Sequence, residues 1–398
     1  MIKPNFIALA LFATTAAVVV FFPQYQGNAT ANPIPATSPA VAQAARVEVV
    51  FVLDTTSSMS GMIEAAKEKI WSIASNMVSA QQAPEVRMGL VAFRDRGDAY
   101  VTRVVDLSSD LDTMYASLMD FRAEGGGDTP ESVNQALHDA VQKISWSQDA
   151  GTYRVIFLVG DSPPHMDYQD EMRYPDVLSL AEAKNIVVNA IQCGPNPSTT
   201  AQWQQIADLG SGAYFQVEQS GGAVAVATPF DAKLAEISRK LDDTRLYYGT
   251  EEEMESKRIK MEATDKLHTS STLTSRARRA VFNSSAGGRA NLLGEGDLVE
   301  DLATGQTELS DLDKDRLPAS LKALSPEKQQ AFIDDTVRQR QELERDIKEL
   351  AEKRRDFIKK KVAADGGAGE SLDEKIYGAV REQAAKHGLS YDAETQAY

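Results

Sequence analysis

The stretch Val47–Leu53 reads VEVVFVL and runs directly into Asp54 and a cluster of hydroxyls, Thr55, Thr56, Ser57, Ser58 and Ser60. A strand this apolar on both faces belongs in the middle of a sheet covered by helices on each side. Such a sheet needs parallel neighbours and crossover connections, and the following residues supply them. Helical spacing recurs over 61–77, 111–121, 130–144, 174–185, 200–209 and 230–246. Between these segments lie strand-like runs at 87–93, 101–105, 153–159, 186–191 and 213–217. The alternation predicts a doubly wound α/β fold with a mainly parallel sheet, Pro130 in the first turn of its helix and 230–246 as the closing helix. In such folds ligands gather at the carboxyl ends of the central strands. Asp54 and Asp161 both stand at predicted strand ends.

The residues at these ends offer oxygen ligands only, which suit Mg²⁺, Mn²⁺ or Ca²⁺ and suit soft metals poorly. Three separated pieces belong together: Asp54-Thr55-Thr56-Ser57-Ser58, Gly125-Gly126-Gly127-Asp128-Thr129-Pro130-Glu131, and Val159-Gly160-Asp161-Ser162-Pro163-Pro164. With their order of strands and helices, they make residues 46–245 resemble the von Willebrand factor type A family. The resemblance implies a metal-ion-dependent adhesion site built on Asp-x-Ser-x-Ser, a Thr in a glycine-containing loop, and an Asp after the fourth strand. Carried onto this chain, the motif names Asp54, Thr56 in place of the first Ser, Ser58 and Asp161. The loop ligand is Asp128, with Thr129 as the alternative, because the chain departs from the usual Gly-Gly-Thr there. Asp128 could equally cap the helix that follows. The family pattern has the hydroxyls bind one divalent cation directly, Mg²⁺ foremost with Mn²⁺ or Ca²⁺ as alternatives, while the acids hold its waters. A cation with few bound anions stays electrophilic and can take an Asp or Glu from a protein partner. An Asp at position 128 would tighten cation binding and weaken that pull.

The ends of the chain read differently. Lys3, the apolar run Phe6–Phe22 and Ala29-Thr30-Ala31 form the pattern of a secretory signal over 1–31, with an uncleaved anchor as the alternative. Residues 32–45, with Pro33, Pro35 and Pro39, read as a tether. The whole is expected to be a bacterial exported protein, periplasmic or extracellular. Beyond the domain at 46–246, residues 247–324 read as an irregular, partly helical connector in which 282–304 is either a hairpin or a loop. Residues 325–364 read as a long charged helix capped by Ser325 and Pro326, and 365–398 as a short helix and tail. The thin apolar stripe of the long helix suggests a coiled coil and self-association.

The net charge is −16, which argues against nucleic acid or an anionic membrane as main partner. Contact with a membrane is left to an uncleaved N-terminal segment. Cys193 is the single cysteine, so no internal disulfide can form, and its place at a strand end reads as a small buried hydrophobe. Arg96-Gly97-Asp98 is a common tripeptide in a turn, and Arg94-Asp95-Arg96 reads as a surface charge cluster near the site. His165 reads as a hydrogen-bonded loop residue. His138, His268 and His387 show no metal-ligand spacing. No nucleophile elbow, zinc-binding helix, phosphate loop or dinucleotide pattern occurs, so the chain reads as a binding module and not an enzyme. The alternatives are an exported scaffold and, behind it, a metal-dependent hydrolase.

Overall fold

A computed structural model describes residues 45–127, 129–221, 226–364 and 372–391. The expected signal and most of the tether lie outside these residues, as do Asp128 and the glycine run at 366–369. No helix among the described residues is long and apolar enough to cross a membrane.

The six-stranded sheet has the order β3-β2-β1-β4-β5-β6, with β1 at Arg46–Asp54, β2 at Glu85–Phe93, β3 at Thr102–Ser108, β4 at Tyr153–Gly160, β5 at Ile186–Cys193 and β6 at Ser211–Val217. Only the β2–β3 pair is antiparallel. The central strands β1 and β4 are buried on both faces. Val49, Phe51 and Leu53 face one core, with Phe51 stacked on Phe157 at 5.7 Å, and Val50 and Val52 face the other. The second core is closed by α3 (Val133–Gln142), α4 (Tyr174–Ala183) and α5 (Pro197–Leu209). Cys193 is buried at the end of β5, and burial pushes its thiol pKa up.

The first core lies under α1 (Ser60–Val78) and α2 (Leu111–Asp120). Its remaining cover comes from the far end of the chain. The helix expected to close the domain exists as α6 (Asp231–Asp242), but it packs on α8 (Leu273–Asn283) and on the long helix α11 (Pro326–Ala364). The place beside α1 and β6 is taken by α12 (Leu372–Ala384), which adds Leu372, Ile376, Tyr377 and Val380 to the core. Buried polar contacts fasten it. Lys69 of α1 pairs with Asp373 at 2.9 Å, and Gln383 exchanges amide contacts with Asn189 while accepting from the Tyr153 hydroxyl at 2.7 Å. Tyr391 then donates to the Met77 carbonyl at 3.0 Å.

Between α6 and α11 the chain is helical: α7 (Glu251–Ser270), α8, α9 (Arg289–Leu293) and α10 (Leu298–Ala303). Neither a hairpin nor a simple loop forms over 282–304. Leu292, Leu293 and Leu298 are buried, the Asp297 side chain caps α10, and the Asn291 side chain accepts from the Leu111 amide at 2.7 Å. The apolar stripe of α11 faces this same chain. Ile347 packs with α6, α8 and α9, while Ile333 packs with α10. Arg340 bonds Asp297 and Thr244, and Arg354 bonds Asp231. Much of the stripe expected to seat a second copy therefore packs on this same chain, while Phe332 and Phe357 stay exposed.

A charged cluster joins the two parts. Arg279 of α8, fully buried, bonds Asp112 of α2 at 2.7 Å and Asp242 of α6 at 2.7 Å. His268 Nε2 stands 2.7 Å from Asp242. Burial alone would raise these carboxyl pKa values, but the Arg279 guanidinium holds Asp242 down at about 2 and Asp112 well below the usual carboxylate range.

Candidate metal centre

The sheet reverses its winding between β1 and β4, so their carboxyl ends bound a crevice. Asp54, the last residue of β1, is 1% exposed. Its Oδ1 accepts from the Thr56 amide at 2.9 Å and the Thr56 hydroxyl at 2.6 Å, while its Oδ2 has no hydrogen-bond partner. The Thr56 and Ser58 hydroxyls stand 3.3 Å apart. Thr55 turns the other way, donating to the Phe93 carbonyl at 2.9 Å and meeting the Tyr100 hydroxyl at 2.7 Å. The alternation at the strand end thus gathers Asp54, Thr56 and Ser58 and leaves Thr55 to brace β2.

Backbone bonds stitch the other two loops to the first. The Ser57 amide and hydroxyl both donate to the Gly125 carbonyl, and the Glu124 amide donates to the Thr55 carbonyl. The Glu131 amide donates to the Pro163 carbonyl at 3.0 Å, and the His165 amide returns to the Glu131 carbonyl at 3.1 Å. These bonds hold Glu131 in a bridge with Pro164, so α3 starts at Val133 and Pro130 is not in its first turn. Two glycines make the approach close. A Cβ on Gly160 would stand 3.1 Å from Asp54 Oδ2, and one on Gly126, whose φ is +72°, would stand 2.8 Å from Thr56 Cβ.

Asp161 is half-buried, and its Oδ2 accepts from Gln219 Nε2 at 2.7 Å. The same amide donates to the Ser58 carbonyl at 3.2 Å, so Gln219 spans the first and third loops. Asp54, Thr56, Ser58 and Asp161 therefore stand near one another at the crevice. Asp128 lies outside the described residues, and its alternative Thr129 is exposed.

Three further acids escaped the sequence reading. Glu131 is 2% exposed, its Oε2 has no partner, and burial together with Asp54, Asp95, Asp98 and Asp161 pushes its pKa up to about 9. Asp95 is buried, accepting from Ser132 at 2.8 Å and Tyr168 at 3.0 Å, with His165 Nε2 3.3 Å away. Asp98 accepts from the Gly126 amide at 3.2 Å. Arg94 is buried too, so Arg94-Asp95-Arg96 is not a surface cluster. The Arg96-Gly97-Asp98 side chains are engaged internally, Arg96 with Glu171 and Asp170 and over the Tyr168 ring. His165 bonds Asp167 at 2.7 Å and stacks on Tyr168. The Pro-Glu pair after the glycine loop was the one sequence signal for Glu131, and Gln219 carried none.

Burial pushes the Asp54 pKa up to about 7, with Asp161 adding to the effect. Two buried carboxylates with orphaned oxygens are the arrangement a cation would relieve. Among the described residues no three His, Cys, Asp or Glu side chains are grouped to hold a metal by themselves. The fit rests on a mixed set, with the Thr56 and Ser58 hydroxyls beside the acids, and those hard oxygens suit a divalent cation.

Residues 48–228 match the family model described as von Willebrand factor A domain. Over that stretch, somewhat under half of its length, the chain is similar to von Willebrand factor A domains. Domains of this family generally mediate metal-dependent protein interactions and are typically not enzymes. A curated relative, an ariadne-like RING finger protein of Acanthamoeba polyphaga mimivirus, is 24% identical over 119 residues, covering 30% of this chain and 11% of that protein. The chain thus spans about a tenth of that relative's length. Solved structures that resemble it include the SpRpn10 VWA domain, 14% identical over 44% of this chain and 89% of that one, with a TM-score of 0.34. The von Willebrand factor type A protein of Catenulispora acidiphila is 18% identical over 44% of this chain and 39% of its own, at a TM-score of 0.33. Proximal thread matrix protein 1 of the mussel byssus, in a form with a zinc-occupied MIDAS motif, is 16% identical over 44% and 42%, at 0.34. Likenesses this low carry no argument about this chain.

Glu131 gives the site its own test. A raised folded pKa means that stability is greatest near the unfolded value of about 4 and is lost as pH rises through about 7 for Asp54 and about 9 for Glu131. Glu131→Gln is expected to flatten the fall in Tm of cation-free protein between about pH 4 and 9 and to weaken Mg²⁺ binding by about 10–100-fold. Unchanged pH dependence and unchanged affinity would remove Glu131 from the centre.

Proposed function

We propose that the chain is an exported, divalent-cation-dependent binding module that docks an Asp or Glu of a protein partner onto a cation at the β1–β4 crevice. Asp54, Thr56, Ser58 and Asp161 would hold the cation, Mg²⁺ foremost, with Glu131 beside them and Asp128 or Thr129 as the loop ligand. The observation that carries this reading is the pair of buried, partnerless oxygens, Asp54 Oδ2 and Glu131 Oε2, next to two hydroxyls. When bound, the cation supplies an electrophilic point for the partner's carboxylate. Glu131, held protonated at neutral pH by burial and its acidic neighbours, would add negative charge only as a bound cation displaces its proton, which would favour keeping the cation and lower its pull on an incoming acid. Gln219, bonded to Asp161 and Ser58, would have to yield as the cation and its waters take up those oxygens. Export is supported by Lys3 followed by the apolar run to Phe22. Much of the α11 stripe packs within this chain, which favours the crevice as the recognition surface.

Calorimetric titration of the full chain with Mg²⁺ and Mn²⁺ tests the reading. Asp54→Ala is expected to lower affinity by about 100-fold or more while the circular dichroism spectrum stays that of the parent. The same variant should lose cation-dependent capture of partners. Equal affinity, or the same partners recovered from both proteins, would take the cation out of the function.

A further inference from the structure

The carboxyl ends of β1, β2, β4 and β6 point to the same side of the sheet, because β1 pairs in parallel with β2 and β4 and the parallel run continues through β5 to β6. The loops that leave them form one rim around the crevice. The segment 122–131 is tied into that rim through the Glu124 amide and the Thr55 carbonyl. Over Asp54 and residues 94–103, 122–131, 161–173 and 218–219, carboxylates outnumber arginines eleven to five, and no lysine occurs. A divalent cation would offset part of this excess and leave the rim negative.

The arginines do not cancel it. Arg96 is shared by Asp170 at 2.9 Å and Glu171 at 2.7 Å. Arg94 is buried and, with Arg103, lies over the Tyr100 ring. Arg122 and Arg173 are exposed. Several acids face outward: the Glu124, Asp167 and Asp170 side chains are 63%, 72% and 73% exposed, and Glu218 is exposed next to Gln219. Inside this ring stand the buried, partnerless Asp54 Oδ2 and Glu131 Oε2, the two atoms a cation would satisfy. A lone carboxylate approaching such a centre is attracted by the cation and repelled by the rim. Positive charges beside that carboxylate turn the repulsion into attraction.

We propose that the partner's docking acid lies in a basic segment of a protein: its Asp or Glu meets the cation while neighbouring Lys or Arg face Glu124, Asp167, Asp170 and Glu218. This rests on the cation-docking reading above and adds the chemistry of the partner sequence around the acid. The field of the rim also speeds the encounter, so the preference is strongest at low salt.

The test measures fluorescence anisotropy of short labelled peptides on the full chain in saturating Mg²⁺. One peptide carries a central Asp flanked by lysines, a second the same Asp flanked by glutamines, and a third an Asn flanked by lysines. The first is expected to bind about 10-fold or more tighter than either of the others. Its advantage over the second should fade as NaCl approaches about 1 M, where the screening length is about 3 Å. Glu124→Gln combined with Glu218→Gln changes two exposed side chains, so the fold should be kept. This double variant is expected to bind the first peptide about 3-fold or more weaker and the second as tightly as the parent or tighter. Equal binding of the first two peptides, with both above the third, would overturn this inference and leave the cation-docking reading standing. Equal binding of the first and third, or binding that persists in EDTA, would mean that the rim alone holds a polycation, and both readings would fall. Binding of none of the three, or a double variant that holds the first peptide as tightly as the parent, overturns the inference as well.

Discussion

Arg279→Ala is expected to destabilise the protein by about 3–5 kcal/mol, because it leaves the buried carboxylates of Asp112 and Asp242 without their counter-charge. That is a large part of the roughly 5–15 kcal/mol by which a domain is stable. Arg279→Lys should recover little, since one ammonium cannot bond both acids as the planar guanidinium does. The same cluster sets an acid limit. Both carboxyl groups have folded pKa values below their unfolded value near 3.9, so their contribution is fully present above about pH 4 and is lost as pH falls through about 2, the value for Asp242. Urea unfolding at pH 7 and pH 3 measures both effects. A loss under about 1 kcal/mol at pH 7 would show that the cluster does not hold α2, α6 and α8 together.

Deleting residues 371–398 is expected to be more damaging still. Leu372, Ile376, Tyr377, Val380, Leu389 and Tyr391 are all buried in the core against α1 and the sheet. At about 1.5–3 kcal/mol for each large apolar side chain removed from water, their sum reaches the stability of a whole domain. The cut also strands Lys69, which is buried with Asp373 as its ion-pair partner, and the Asn189 amide beneath Gln383. The truncated chain should bind a hydrophobic dye and lose its cooperative thermal transition. A truncation that melts cooperatively within about 5 °C of the parent would mean that α12 only rests on the domain.

The sequence made the sheet and most of its helices legible because both signals are local. Double-sided apolar runs marked β1, β4 and β5, and helical spacing marked α1, α2, α4 and α5 within a few residues of their observed ends. Asp54 and Asp161 stood at predicted strand ends, and the resemblance to the von Willebrand factor type A motif named Thr56 and Ser58 with them. Glu131 was in view but unassigned, since what aims it is a bridge to Pro164 in another loop. Asp95 looked like part of a charged surface turn, and only Ser132, Tyr168 and His165 from later segments bury it. Gln219 reaches Asp161 and Ser58 only through the path of the chain after β6.

The sequence by itself determined that the chain builds a doubly wound sheet and that hard oxygen ligands stand at its central strand ends. Periodicity and strand-end position depend on neighbours a few residues apart. Only the tertiary structure decided which helix completes the sheet and what the long helix does with its apolar stripe. The stretch 230–246 and the stretch 372–384 are both amphipathic, and no local feature says which one fits beside α1. Lys69, Asn189 and Tyr153 settle it, because the partners that satisfy their buried polar atoms, Asp373 and Gln383, are carried by α12. The stripe of α11 could have met a second copy, but Asp297, Thr244 and Asp231 stand where its buried arginines need them. Burial of charge is satisfied across distance in the sequence, and that is why local pattern could not foresee it.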